Sequence, residues 1–299
     1  MTVDTIPTAS PPAAPSAALP MPRSLSPSSM STFTSCPLSF RFSYIEKLPE
    51  PPSAPASKGT LVHLALQHLM WRPAPARTLD NALADLERAR AELAADAEFS
   101  QLELSDEEWD RFHADAEVLL RRYFELEDPR TITVLGVELR VTAETADGVV
   151  IRGIIDRLEL DADGELVITD YKTGREPRDG WEQQSMAGIH IYSLLCEKML
   201  GRRPKRIQLL YLGKPERITI QPSDQSLKGV EVKSGAVMKA VRTACARSDF
   251  RPRVSALCAY CSFQEFCPEY GGNPAHAAPV MLARQAERDG RPQLPLAIV

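Results

Sequence analysis

Apolar residues alternate along short stretches in the middle of the chain and recur at helical spacing on either side of them. Thr131–Thr142 alternates as a strand, with Val137, Leu139 and Val141 on one face and Glu138 on the other. Ile151–Leu160 and Glu165–Lys172 are two apolar-rich runs around Asp161-Ala162-Asp163-Gly164, a composition that favours turns, so the pair reads as a β-hairpin. Arg206–Leu212 and Arg217–Gln221 read as two further strands. Helices are predicted from Ser26-Pro27 to about Ser35, from Lys58 to Trp71, from Thr78 to Ala97 and from Ser105 to Glu125. A fifth runs over Trp181–Leu200 and stops at Gly201, and a sixth from Ser223-Asp224 to near Asp249. The pattern predicts an α/β (α+β) fold with a mixed central sheet flanked by helices. Residues 74–128 form a helical insertion whose outer faces are acidic.

The same alternation arranges candidate chemistry. Asp170 and Lys172 share one strand face while Tyr171 points to the other, and Ile154, Asp156, Leu158 and Leu160 share a face of the preceding strand. Directly opposed residues of an antiparallel pair also share a face, about 4.5–5.5 Å apart at Cβ. A register of even parity therefore sets Asp156 opposite or diagonal to Asp170. Two carboxylates and an ammonium gathered there are costly unless a cation sits among them, and Mg²⁺ suits oxygen ligands.

These residues carry a family resemblance. Gly153-Ile154-Ile155-Asp156-Arg157 followed by Asp170-Tyr171-Lys172-Thr173-Gly174 resembles the signature of PD-(D/E)XK nucleases, in particular the RecB-type exonuclease branch. Gly59-Thr60-x-x-His63 resembles that family's first motif, and Cys36-Pro37 followed by Phe40, Phe42 and Tyr44 resembles the opening of its domains. The resemblance implies a restriction-endonuclease-like sheet and metal-dependent hydrolysis of DNA. Asp156, Asp170 and Lys172 are then catalytic; His63, Asp156, Asp170, the Tyr171 carbonyl and Glu138 surround Mg²⁺ or Mn²⁺. Tyr192, Gln184 and Arg157 are expected to contact DNA, although a glutamine common in the family four residues before the tyrosine is Gly188 here. Single-stranded DNA ends in repair or recombination are the implied substrate, with a helicase as a possible partner. The competing class is a non-catalytic iron–sulfur DNA-binding subunit.

Composition adds three constraints. The 299 residues carry a net charge of −5, which is not that of a simple DNA-binding domain. Lys198, Arg202, Arg203, Lys205, Arg206, Lys214 and Arg217 nevertheless make a basic run, with Arg247, Arg251 and Arg253 a second group, and both are expected to attract phosphates. No long uncharged apolar run exists, no secretory signal opens the chain and no GxxxxGK[ST] loop is present, which predicts a cytoplasmic protein without its own ATPase motor. Residues 1–23, rich in Pro, Ala, Ser and Thr, read as a disordered tail. Residues 271–299 read as a mostly disordered tail holding a short helix over Val280–Glu287, leaving 24–270 as the folded domain.

Of the six cysteines, Cys196 and Cys245 fall within predicted helices and read as buried thiols. Cys258-x-x-Cys261 with Cys267 beyond it is a soft-metal pattern. The family resemblance supplies Cys36 as the fourth ligand and implies a [4Fe–4S] cluster that clasps the ends of the domain over 258–267. Spacing alone also admits Zn²⁺.

Overall fold

The computed structural model describes residues 19–174 and 188–290. Five strands form one sheet in chain order: β1 (Thr133–Glu144), β2 (Val150–Leu160), β3 (Leu166–Lys172), β4 (Arg206–Tyr211) and β5 (Glu216–Ile220). Only the β3–β4 pair is parallel; the others are antiparallel. Helices α1 (Pro27–Ser35), α2 (Ala54–Trp71), α3 (Leu79–Leu93), α4 (Asp106–Leu126), α5 (His190–Leu200), α6 (Asp224–Arg247) and α7 (Ala277–Arg288) cover it.

Two apolar clusters separate these layers. Leu61, Leu66, Leu69, Ala82, Phe112 and Leu120 of α2, α3 and α4 pack on Tyr171 and Leu210 of the sheet. Met30, Leu194, Leu195, Val241 and Met281 of α1, α5, α6 and α7 pack with Ile155, Leu158, Ile168 and Leu209. The result is the mixed α/β, restriction-endonuclease-like arrangement that the patterning predicts. Local chemistry sets the helix starts: Ser26, Ser105 and Ser223 each close a capping box, satisfying orphan N–H groups of α1, α4 and α6.

Several boundaries differ. α2 begins at Ala54 rather than Lys58, because Pro55 falls in its first turn, where no N–H is needed. The helix expected from Trp181 starts at His190, after a turn at Gly188 and Ile189; residues 181–187 lie outside the described residues. The expected tails are shorter at both ends. Leu19 N–H donates to the Cys245 carbonyl at 3.1 Å, and Leu25 bridges Ile151 of β2 and is fully buried. Beyond residue 271, α7 is longer than the helix expected and buries Ala277 and Met281 in the core, while Arg284 pairs with Glu265.

Among the described residues no helix is long and apolar enough to cross a membrane. Met281 is 2% exposed, so Met281→Ala is expected to lower the unfolding free energy by about 2–3 kcal/mol in urea denaturation. A change within about 0.5 kcal/mol, the range for surface positions, would contradict the packing of α7.

Candidate active site

Register places the site. β2 pairs with β3 from Leu160↔Leu166 to Arg157↔Thr169, and the next step brings Asp156 level with Asp170. In β1, Val137↔Arg157 and Leu139↔Ile155 set Glu138 level with Asp156. Glu138, Asp156 and Asp170 thus form one row across three strands. Glu138 reaches it in a left-handed backbone conformation, φ 48°, which costs a non-glycine residue about 1–3 kcal/mol.

α2 delivers the histidine. Its close approach to the end of β3 depends on Gly59, where a Cβ would lie 3.1 Å from Thr173 Oγ1. His63 Nε2 lies 3.1 Å from the Tyr171 carbonyl, and since a carbonyl only accepts, Nε2 carries the proton. Nδ1 then presents a lone pair 3.5 Å from Asp156 Oδ2, itself an acceptor for Tyr171 N–H at 2.8 Å. Donor atoms of His63, Glu138 and Asp156 all lie within 4.8 Å of one another. Lys172 Nζ stands 2.7 Å from Asp170 Oδ2, an oxygen buried without a well-aligned hydrogen bond.

The electrostatics follow from this crowding. Burial and then the Asp170 charge push the Asp156 carboxyl well above its ordinary range; burial also raises Glu138. Burial lowers His63, favouring the neutral imidazole. Lys172 is held above its ordinary value: burial opposes its charge, but the pairing with Asp170 outweighs it. Four acceptor-rich groups converge with one ammonium at the edge, a donor set that fits a divalent cation.

Tyr192 lies behind Gly153, where a Cβ would come 2.7 Å from its ring, so the glycine of the Gly153–Arg157 string admits this side chain. Tyr192 joins Asp170 and Lys172 in lining a groove of about 1280 Å³ between α1, β1, β2 and α6. Residue 184 lies outside the described residues, so the expectation for Gln184 is not placed.

Arg157 is a correction. It is fully buried on the opposite face of the sheet, bidentate to Glu127 at 2.5 and 3.0 Å, paired with Glu159, and donating to Tyr171 Oη at 2.8 Å and Thr169 Oγ1 at 3.1 Å. No DNA strand reaches it. The signal was present in the sequence: the alternation that points Asp156 into the site points Arg157 away.

The basic run is a second correction. Lys198 pairs with Glu231, Arg202 with Glu165, Arg203 with Asp224, Lys205 with Asp163 and Arg206 with Asp161, mostly at the hairpin end of the sheet, opposite the site. Sequence reasoning missed instead the groove cations Arg140, Arg152 and Lys233. They are scattered singly among strand and helix residues, and no motif marks them.

The four expected cysteines do meet. Cys36, Cys258, Cys261 and Cys267 line one small cavity, brought together where Phe42 packs on Phe263 at 5.0 Å between ring centres. The Ser255 N–H and the Tyr270 hydroxyl lower the Cys258 thiol. Cys196 and Cys245 are buried elsewhere, and burial pushes Cys196 up to about 12.

A sheet that aligns acidic side chains beside a lysine is the working part of a nucleic-acid-cleaving fold, and comparison agrees: residues 24–268 match the PD-(D/E)XK nuclease superfamily, and the chain belongs to it. It is 25% identical over 209 residues to the Gene 69 protein of Mycobacterium phage D29, covering 62% of this chain and 74% of that protein. Among solved structures, a putative exonuclease from Eubacterium rectale aligns over 80% of this chain and 87% of its own, at 12% identity and a TM-score of 0.49. SSO0001 aligns over 83% and 87%, at 15% identity and a TM-score of 0.38.

The raised carboxyls predict a pH-dependent metal effect. Carboxyls held above their unfolded values favour the folded state at low pH, and that contribution is lost as pH rises through the folded values. A divalent cation offsets the loss only where the site is deprotonated. The rise in Tm on adding Mn²⁺ is therefore expected to be larger near about pH 8 than near about pH 5. Asp156→Asn should abolish the rise and increase the metal-free Tm at the higher pH. An equal rise at both values, or one that survives Asp156→Asn, would contradict this electrostatic reading.

Proposed function

We propose that this chain is a metal-dependent deoxyribonuclease of the RecB type, hydrolysing phosphodiester bonds at single-stranded DNA ends in repair or recombination. One observation carries it: a neutral imidazole lone pair faces the half-buried carboxyl of Asp156 at 3.5 Å, with the Glu138 carboxyl close by. Nothing in that arrangement is stable at neutral pH without a proton or a cation between the acceptors.

His63, Asp156 and Glu138 would hold Mg²⁺ or Mn²⁺, with Asp170 and the Tyr171 carbonyl beside them. When bound, such an ion supplies Lewis acidity toward the phosphate and a lowered pKa for ligated water. The chain's own residues do the rest. Lys172 keeps its compact ammonium charged beside Asp170 and orients the attacking water or balances charge on the phosphate. The water oxygen bonds to phosphorus, the phosphorus–oxygen bond to the leaving nucleoside breaks, and the proton released by the water is balanced by protonation of that leaving oxygen. Tyr192 lines the approach.

The cysteine clasp is proposed to hold a [4Fe–4S] cluster. What supports a bound group is that Cys36, Cys258, Cys261 and Cys267, from opposite ends of the domain, line one small cavity, so that its binding energy would join those two ends.

Asp170→Ala and Lys172→Ala are each expected to reduce Mn²⁺-dependent cleavage of end-labelled single-stranded DNA by at least about 100-fold, with the brown colour of the protein retained. Cleavage at the wild-type rate by both variants removes the enzyme reading. Cys36→Ser should lose the colour and lower Tm; a brown Cys36→Ser protein of unchanged Tm removes the cluster reading.

A further inference from the structure

The groove that opens at Asp170 and Lys172 is walled by exposed cations and by the serine face of α1. Arg140 of β1, Arg152 of β2 and Lys233 of α6 are exposed and line it, and none makes a side-chain hydrogen bond or ion pair among the described residues. That sets them apart from the paired cations at the hairpin end of the sheet. Among the described residues lining it, Arg140, Arg152, Lys172 and Lys233 stand against the single acid Asp170, so in a chain of net charge −5 the walls of this groove are locally positive, with Glu138 and Asp156 beyond them in the acidic row. Its opposite wall is α1, where Ser28, Ser31 and Ser35 are exposed at helical spacing and present hydroxyls along one side. Its floor is apolar: Met30, Ile154, Ile189 and Tyr192.

Resting on the nuclease reading above, we infer that this groove binds a single nucleic-acid strand, with Arg140, Arg152 and Lys233 neutralising successive phosphates and the α1 hydroxyls donating to phosphate oxygens. Cationic and hydroxyl walls suit a phosphodiester backbone. An apolar floor holding a tyrosine suits unpaired bases, whose faces a duplex keeps stacked inside. The strand runs past Tyr192 and delivers a phosphate to Lys172.

The test is oligonucleotide binding by the full-length protein in EDTA, followed by fluorescence anisotropy over a range of salt. The triple variant Arg140→Ala, Arg152→Ala, Lys233→Ala is expected to weaken binding of labelled single-stranded DNA and to flatten the log K against log salt slope by about 2, near 0.7 per lost phosphate contact. A control triple, Arg88→Ala, Arg90→Ala, Arg121→Ala, removes the same charge from α3 and α4 and should leave the slope unchanged. Hydrolysis by the wild-type protein with Mn²⁺, of labelled single-stranded DNA and of the small diester bis(p-nitrophenyl) phosphate, reads the hydrolytic site separately from binding. A groove triple with the wild-type slope, or a control triple flattened equally, overturns the groove. Wild-type protein that hydrolyses neither substrate, yet shows the groove-specific slope change, overturns the hydrolytic reading and supports the groove.

Discussion

The register between β2 and β3 is the constraint on which everything else rests. Side chains alternate with period two, so slipping β2 by one residue would turn Asp156 into the packed face and bring Arg157 out into the site. Arg157 prevents the slip. Its guanidinium is fully buried among Glu127, Glu159, Thr169 and Tyr171, and Gln208 completes the network through Thr169 at 2.7 Å. Breaking such a buried pair leaves an uncompensated charge and costs about 3–5 kcal/mol. The acidic row is therefore held from behind, by an ion network on the face that substrate never meets.

Tyr171 joins the two faces. Its phenol receives the Arg157 hydrogen bond on one side of the sheet, while on the other its N–H donates to Asp156 and its carbonyl accepts from His63. One residue thus couples the buried network to the geometry of the site. The left-handed Glu138 and the crowded carboxyls are local costs that a well-packed sheet can carry, and a bound cation would repay part of them. Gly59 and Gly153 serve the same end by letting α2 and the Tyr192 ring come close to the sheet.

Much of this was legible in the sequence because it rests on period and parity. The hairpin, the shared face of Asp156, Asp170 and Lys172, and the capped helix starts all follow from local rules. What escaped was decided by distant contacts. The paired basic run reads the same in sequence as a free one, since Asp161, Asp163 and Glu165 meet it only across the sheet. α7 was underestimated because, of its several apolar residues, only Ala277 and Met281 are buried, and which ones are is decided by the core they meet. The φ of Glu138 has no sequence signal at all, while Arg157 was misassigned although alternation already turned it inward.

The most direct measurement is Mn-specific anomalous diffraction from crystals soaked in Mn²⁺, taken as the difference between data collected just above and just below the manganese absorption edge, so that iron at the cysteines contributes nothing. A single strong peak bounded by His63 Nδ1 and the carboxylates of Asp156 and Glu138, lost in Asp156→Asn crystals, is the expected result. A well-occupied peak elsewhere, or none at this position while the three side chains keep their places, would contradict the claim that a cation completes the site.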